Sequence, residues 1–146
     1  MPKAVLDTSV LVSAFLRHRP GGASFDLLRL AAAGAFEFFL SDDILEETAG
    51  VLLRPGRLRE RYIYTDDQVV EYCRDLGRLA RVVEAVPDVR VVRDPNDDMI
   101  VGCALAANAD YLVSRDKDLL SLGAHEGISI VDPEAFLQIL RDRVAI

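Results

Sequence analysis

The chain has 146 residues, 51% apolar and 28% charged, the balance of a globular protein long enough to bury a core without disulfide or metal staples. No apolar run approaches the ~18 residues of a membrane-spanning helix, and the N-terminus reaches charge too soon to be a secretory signal. The net charge of −7, from 24 acids against 17 bases, excludes a general nucleic-acid coat, which needs concentrated positive charge.

Residues 3–6 read as a short buried strand. Residues 8–16, apolar nearly all round, suit a helix enclosed on several sides. A loop follows through Pro20-Gly21-Gly22, then a helix over 24–33 that Gly34 stops. Residues 36–40 are strand-like, and Ser41 is a good N-cap for a helix running to about Arg54, where Pro55-Gly56 breaks it. Arg54, Arg57, Arg59 and Arg61 then form a local basic patch in a turn. Thr65-Asp66-Asp67 opens a helix reaching about Arg81, followed by a short strand over 82–86. Residues 89–92 are apolar and extended in type before Asp94-Pro95-Asn96 forces a turn. A helix over 97–108, a strand over 111–113, a short helix over 116–122 and a last strand over 128–131 follow, and Pro133 starts a final helix. Strands alternating with helices throughout predict one α/β domain over residues 1–146, a parallel sheet with helices on both faces.

Ligands of such sheets bind outside the carboxyl ends of the strands. Asp7 follows the first strand directly and Asp116 lies three residues beyond Val113, so both are expected on one rim, as helix caps or as ligands. Asp97 shares a helix face with Ile100, Val101 and Ala104, an acid at the head of a buried stripe, whereas its neighbour Asp98 points about 100° away. On the preceding helix Glu47 falls at the edge of the buried face and Glu46 on the solvent side. Two carboxylates about 4 Å apart repel by roughly 4 kcal/mol at an effective dielectric near 20. A cluster of them therefore takes up protons or recruits a hard cation, and oxygen-only ligands select Mg²⁺ or Mn²⁺. His18 and His125 match no metal spacing, and Cys73 and Cys103 signal neither a disulfide framework nor a zinc ribbon, which favours a reduced, cytoplasmic compartment. With no phosphate-cradling glycine loop and no nucleophile elbow, a metal-held water is the nucleophile that remains.

Val5-Leu6-Asp7-Thr8-Ser9-Val10-Leu11, then Ser41 with Glu47 six residues on, then Asp94-Pro95-Asn96-Asp97-Asp98, then Leu112-Val113-Ser114-Arg115-Asp116-Lys117-Asp118-Leu119 occur in that order. Together they resemble the PIN-domain ribonucleases over essentially the whole chain, and in particular the VapC-like toxins of toxin–antitoxin pairs. The resemblance implies a PIN-like three-layer α/β/α sandwich with a five-stranded parallel sheet and metal-dependent cleavage of single-stranded RNA. It implies a quartet of Asp7, Glu47, Asp97 and Asp116, with Asp7 and Asp97 as direct ligands of Mg²⁺ or Mn²⁺ and the other two completing the site directly or through water. Ser9 and Ser114 would orient a carboxylate, with Asp98 and Asp118 as neighbouring alternates. A cognate antitoxin protein and a homodimer are implied as well. Arg54, Arg57 and Arg115 are the cations expected to meet phosphate. Three other readings stay open: a PIN nuclease of RNA processing or repair, an inactive PIN-like binding scaffold, and a receiver-like or phosphatase domain. The last has only one acid in its Asp7-Thr8-Ser9-Val10 run.

Overall fold

The structure, a computed structural model, describes residues 1–144, with side chains to residue 143. Five strands run parallel: β1 (Lys3–Leu6), β2 (Glu37–Ser41), β3 (Arg81–Val83), β4 (Tyr111–Val113) and β6 (Ile128–Val131). A sixth, the two-residue β5 (Ala124–His125), pairs antiparallel with β6 at the sheet's edge. The order is β3-β2-β1-β4-β6-β5, so β1 is central, and Ala4, Val5 and Leu6 are wholly buried. The hairpin before β6 turns at Glu126 and Gly127, both at positive φ (48° and 84°), the geometry of a tight two-residue connection. The five-strand expectation thus holds for the parallel sheet. The extra edge strand escaped the sequence reading because two residues carry no periodicity.

From β1 the chain moves outward through β2 to β3, then returns across β1 to β4 and β6. Right-handed crossovers therefore put the two halves' helices on opposite faces. One face carries α1 (Thr8–Leu16), α2 (Ala23–Ala32), α3 (Asp42–Leu53), the short α4 (Arg57–Arg61) and α5 (Asp66–Leu79). The other carries α6 (Pro95–Ala106), packed on β1 and β2, and α7 (Lys117–Leu122). The last helix, α8 (Pro133–Val144), returns to α2. Phe136 on α8 is fully buried, its ring edge-on to Phe36 at 5.1 Å. None of the described helices is long and apolar enough to cross a membrane.

Local signals account for most boundaries. Ser41 caps α3 by accepting from the Ile44 N–H, and Thr65 caps α5 with Gln68 in a reciprocal capping box. The patch expected as a turn is partly the helix α4. The extended residues 89–92 join no strand: the Val91 and Val92 N–H groups donate instead to the Asp98 carboxylate at 2.9 and 2.8 Å. One turn further along α6, Gly102 lets Val86 and Pro87, just before this segment, lie close. A methyl there would sit 2.6 Å from the Pro87 carbonyl oxygen and 2.9 Å from Val86 Cγ1. Gly102→Ala is expected to destabilise the fold by about 1–3 kcal/mol through overpacking. Gly50→Ala on α3, where nothing stands in the way, should instead add roughly 0.5–1 kcal/mol of helix propensity. Urea titrations of the two variants would show opposite shifts in midpoint.

Candidate active site

The site is built where β1 and β4 end side by side. Leu6 pairs with Val113, and the Asp7 N–H donates to the Val113 carbonyl at 3.0 Å, so the residues just beyond both strands emerge together. Asp7 is 2% exposed. It caps α1 by accepting from the Val10 N–H at 3.3 Å. The Ser9 hydroxyl donates to its Oδ1 and the Ser114 hydroxyl to its Oδ2. Each serine oxygen in turn accepts a backbone N–H, Ser9 from Arg115 at 3.0 Å and Ser114 from Asp116 at 2.9 Å. Burial pushes the Asp7 carboxyl above its ordinary value, while these hydrogen bonds pull it back.

Asp116 caps α7, its Oδ1 accepting from the Asp118 N–H at 2.8 Å and from Leu119 at 3.3 Å. Of the two expectations, cap or ligand, the structure shows the cap: Asp7 and Asp116 both cap helices on the rim. Asp97, in the first turn of α6, brings a third positive helix end to the same place. Carboxylate oxygens of Asp97, Asp116 and Asp118 lie within 4.8 Å of one another. Asp97 is 7% exposed, and its Oδ2 is buried with no hydrogen-bond partner. Burial first, then the charges of Asp116, Asp94, Asp7 and Asp118, push its carboxyl up to about 7.

A buried, partnerless carboxylate oxygen facing two further acids is a donor set that a hard divalent cation fits. Asp118, expected only as an alternate, belongs to the tight group. Asp98, the other alternate, commits one oxygen to the 91–92 backbone. Glu47 stands half-buried on α3, as its helix position required, outside the tight group and with no hydrogen bond or ion pair among the described residues. Both histidines lie apart from the acids: His18 bonds the Phe15 carbonyl, and His125 sits in β5. Cys103 is core, its thiol pushed up to about 12 by burial.

The arginines divide by helix geometry. Arg115 is held by a two-pronged pair with Glu134, at 2.9 and 2.7 Å. Arg59 is tied to Asp66 and stacked 4.5 Å from the Tyr64 ring centre. Arg57 and Arg61, one turn apart on α4, face a cavity that Arg17 and Ser9 also line. Arg54 is exposed and outside it. Arg61 was part of the basic patch read from the sequence, whereas Arg17 was not singled out. The signal available was the four-residue spacing of Arg57 and Arg61, which needs the segment to be helical.

The family profile described as PIN domain matches residues 3–118. The chain belongs to the PIN-domain family. Two solved structures share the fold of this PIN domain. One is VapBC2 from Rickettsia felis bound to a DNA fragment from its promoter, at 14% identity and a TM-score of 0.60, covering 89% of this chain and 98% of that one. The other is PAE2754 from Pyrobaculum aerophilum, at 16% identity and a TM-score of 0.63, covering 97% and 90%. No curated protein matches the PIN chain in sequence.

Proposed function

We propose that this PIN domain is a Mg²⁺- or Mn²⁺-dependent endoribonuclease of single-stranded RNA, the toxin of a type II toxin–antitoxin pair acting in the cytoplasm. The buried, partnerless Oδ2 of Asp97 among neighbouring carboxylates carries the nuclease part. The likeness to the Rickettsia felis VapBC2 structure supports the toxin part and a cognate antitoxin; a homodimer whose two acidic sites share one groove belongs to the same proposal. Asp97, Asp116 and Asp118, with Asp7 behind them and Glu47 at the margin, would hold the ion. When bound, it lowers the pKa of a water and offsets charge on the in-line transition state.

The chain's own residues prepare that site. Ser9 and Ser114 fix both oxygens of Asp7, and the Asp116 N–H ties Ser114 to the rim. The α7 N-terminus fixes Asp116 through Oδ1, and Oδ2 accepts no hydrogen bond among the described residues. Arg115 is locked to Glu134, so its role is to hold the Ser114–Asp116 turn rather than to reach for phosphate.

Cleavage of a panel of short single-stranded RNAs, with Mn²⁺, Mg²⁺ or excess EDTA, tests the reading. Cutting in either metal and none in EDTA is expected. Cutting that survives EDTA, or a chain that binds no Mn²⁺ by calorimetry, would overturn it. The second result would favour a binding scaffold.

A further inference from the structure

Beside the acidic site, on the far side of Ser9, lies an open cavity of about 770 Å³. Arg17, Arg57 and Arg61 line it, and none of the three forms an ion pair among the described residues. Glu60 is the one acid on its wall, and the charge of Arg115, also at the wall, is already met by Glu134. Three unmatched guanidinium groups in one hollow are notable in a chain of net charge −7. They are also costly, because like charges repel unless an anion joins them. Tyr62 records that field. Its hydroxyl is drawn below the ordinary phenol range, first by a hydrogen bond from Arg17, then by the nearby charges of Arg17, Arg61 and Arg19.

The hollow also has an apolar side, from Leu16 and Leu58, and the Tyr62 ring lies 5.7 Å from the Arg61 guanidinium carbon. Arg17, Arg61 and Tyr62 continue into a second hollow of about 400 Å³ that reaches Arg19. The positive surface is thus a track leading away from Ser9, not a single anion pocket. Phosphates along one side and a ring surface on the other match a single nucleic-acid strand better than an acidic peptide, which offers no bases to stack.

We propose that the hollow lined by Arg17, Arg57 and Arg61 is the track that seats the single-stranded RNA flanking the scissile phosphodiester. This rests on the ribonuclease reading above. The strand enters at the acidic site past Ser9, and its neighbouring phosphates lie on Arg57 and Arg61, then on Arg17. Arg54, which the sequence suggested for this role, lies off the track.

The test is equilibrium binding of a fluorescent 12-nucleotide oligouridylate at a series of salt concentrations. It uses full-length Asp97→Asn protein with Mn²⁺, so that the strand stays intact. Arg57→Gln/Arg61→Gln is compared with Arg54→Gln/Arg74→Gln, which removes two exposed arginines outside the hollow. Each phosphate contact contributes about 0.7 to the slope of log K against log salt for a single strand. The slope should therefore fall by about 1.4 in the first pair and stay within about 0.3 in the second. Equal losses in both pairs would reduce the effect to net charge and overturn the track. So would an unchanged slope in the first pair while wild-type protein still cuts RNA, which leaves the ribonuclease reading standing. If the oligouridylate does not bind the parent protein, the track fails, and the ribonuclease reading fails with it only where wild-type protein also leaves the RNA panel uncut. A 12-residue poly-glutamate peptide whose binding alone depends on Arg57 and Arg61 would assign the hollow to an acidic protein segment instead.

Discussion

Asp97→Asn should lower cleavage by at least about 100-fold while making the metal-free protein more stable. Loss of a residue that merely orients a metal ligand costs about 10–100-fold, so loss of a direct ligand lies at or beyond the upper end. The stability gain follows from the same geometry. The Asp97 carboxyl sits at about 7 in the fold against an ordinary 3.8, because burial and four neighbouring acids disfavour its charge. The folded state therefore binds the proton more tightly than the unfolded chain does, and wild-type stability falls as pH rises from about 4 to 7. At pH 8 the whole penalty is present, with an upper bound of about 4 kcal/mol for a shift of this size. Asparagine does not titrate and escapes it. Thermal melts in EDTA should show Asp97→Asn with the higher Tm at pH 8, by several degrees, and the gap should close toward pH 4. Saturating Mn²⁺ should reverse the order, since a ligand that binds only the folded wild type stabilises it by mass action. A variant no more stable than wild type at pH 8 would mean that Asp97 is not held in a site that penalises its charge.

Ser114→Ala is expected to be the most damaging change of a single hydroxyl. Ser114 is fully buried, donates to Asp7 and accepts from the Asp116 N–H. Alanine removes a charge-assisted bond, worth about 1.5–3 kcal/mol, and leaves a backbone donor unmet, at about 1–3 kcal/mol. A combined loss of roughly 3–5 kcal/mol is expected at neutral pH. The penalty depends on the charge of Asp7. Its carboxyl is already raised by burial, and the bond from Ser114 is the largest influence pulling it down. Where Asp7 is protonated, the missing donor matters less. Urea unfolding should therefore show a wide gap between wild type and variant at pH 8 and a narrower one under acid, where both forms carry a neutral Asp7. Ser114→Cys, which keeps a weak donor of similar shape, should recover part of the loss. Equal gaps at both pH values would show that Ser114 acts through packing alone.

Capping a helix and holding the proposed ion are compatible tasks for an acid on this rim. Asp7 and Asp116 cap their helices at the place where ligands of such sheets bind, because the carboxyl ends of the strands and the N-termini of the following helices occupy one rim. The helix ends hold each acid's orientation with hydrogen bonds from backbone N–H groups. Asp97 is different: it receives no hydrogen bond at Oδ2 among the described residues, so nothing there offsets the burial of its charge.

Sequence alone determined the elements that rest on local chemistry. The strand–helix alternation, the caps at Ser41 and Thr65, the parallel sheet and the rim positions of Asp7, Asp97 and Asp116 all follow from periodicity, capping residues and crossover handedness. The half-buried stance of Glu47 against the exposed Glu46 followed as well, because a helix wheel needs only the identity of the apolar face. Tertiary structure decided what depends on meetings between distant segments. Residues 89–92 are extended in character, but they bond Asp98 instead of joining the sheet, and the preceding Val86 and Pro87 lie on Gly102. Asp118 enters the tight carboxylate group, and Glu47 stays outside it, because α7 and α6 converge more closely than any spacing in the chain records. The arginine patch split three ways once α4 became a helix: Arg57 and Arg61 face one hollow, Arg59 turns to Asp66, and Arg54 stays off it. Arg17 joined them from 40 residues away, a proximity set by packing and invisible to any local pattern.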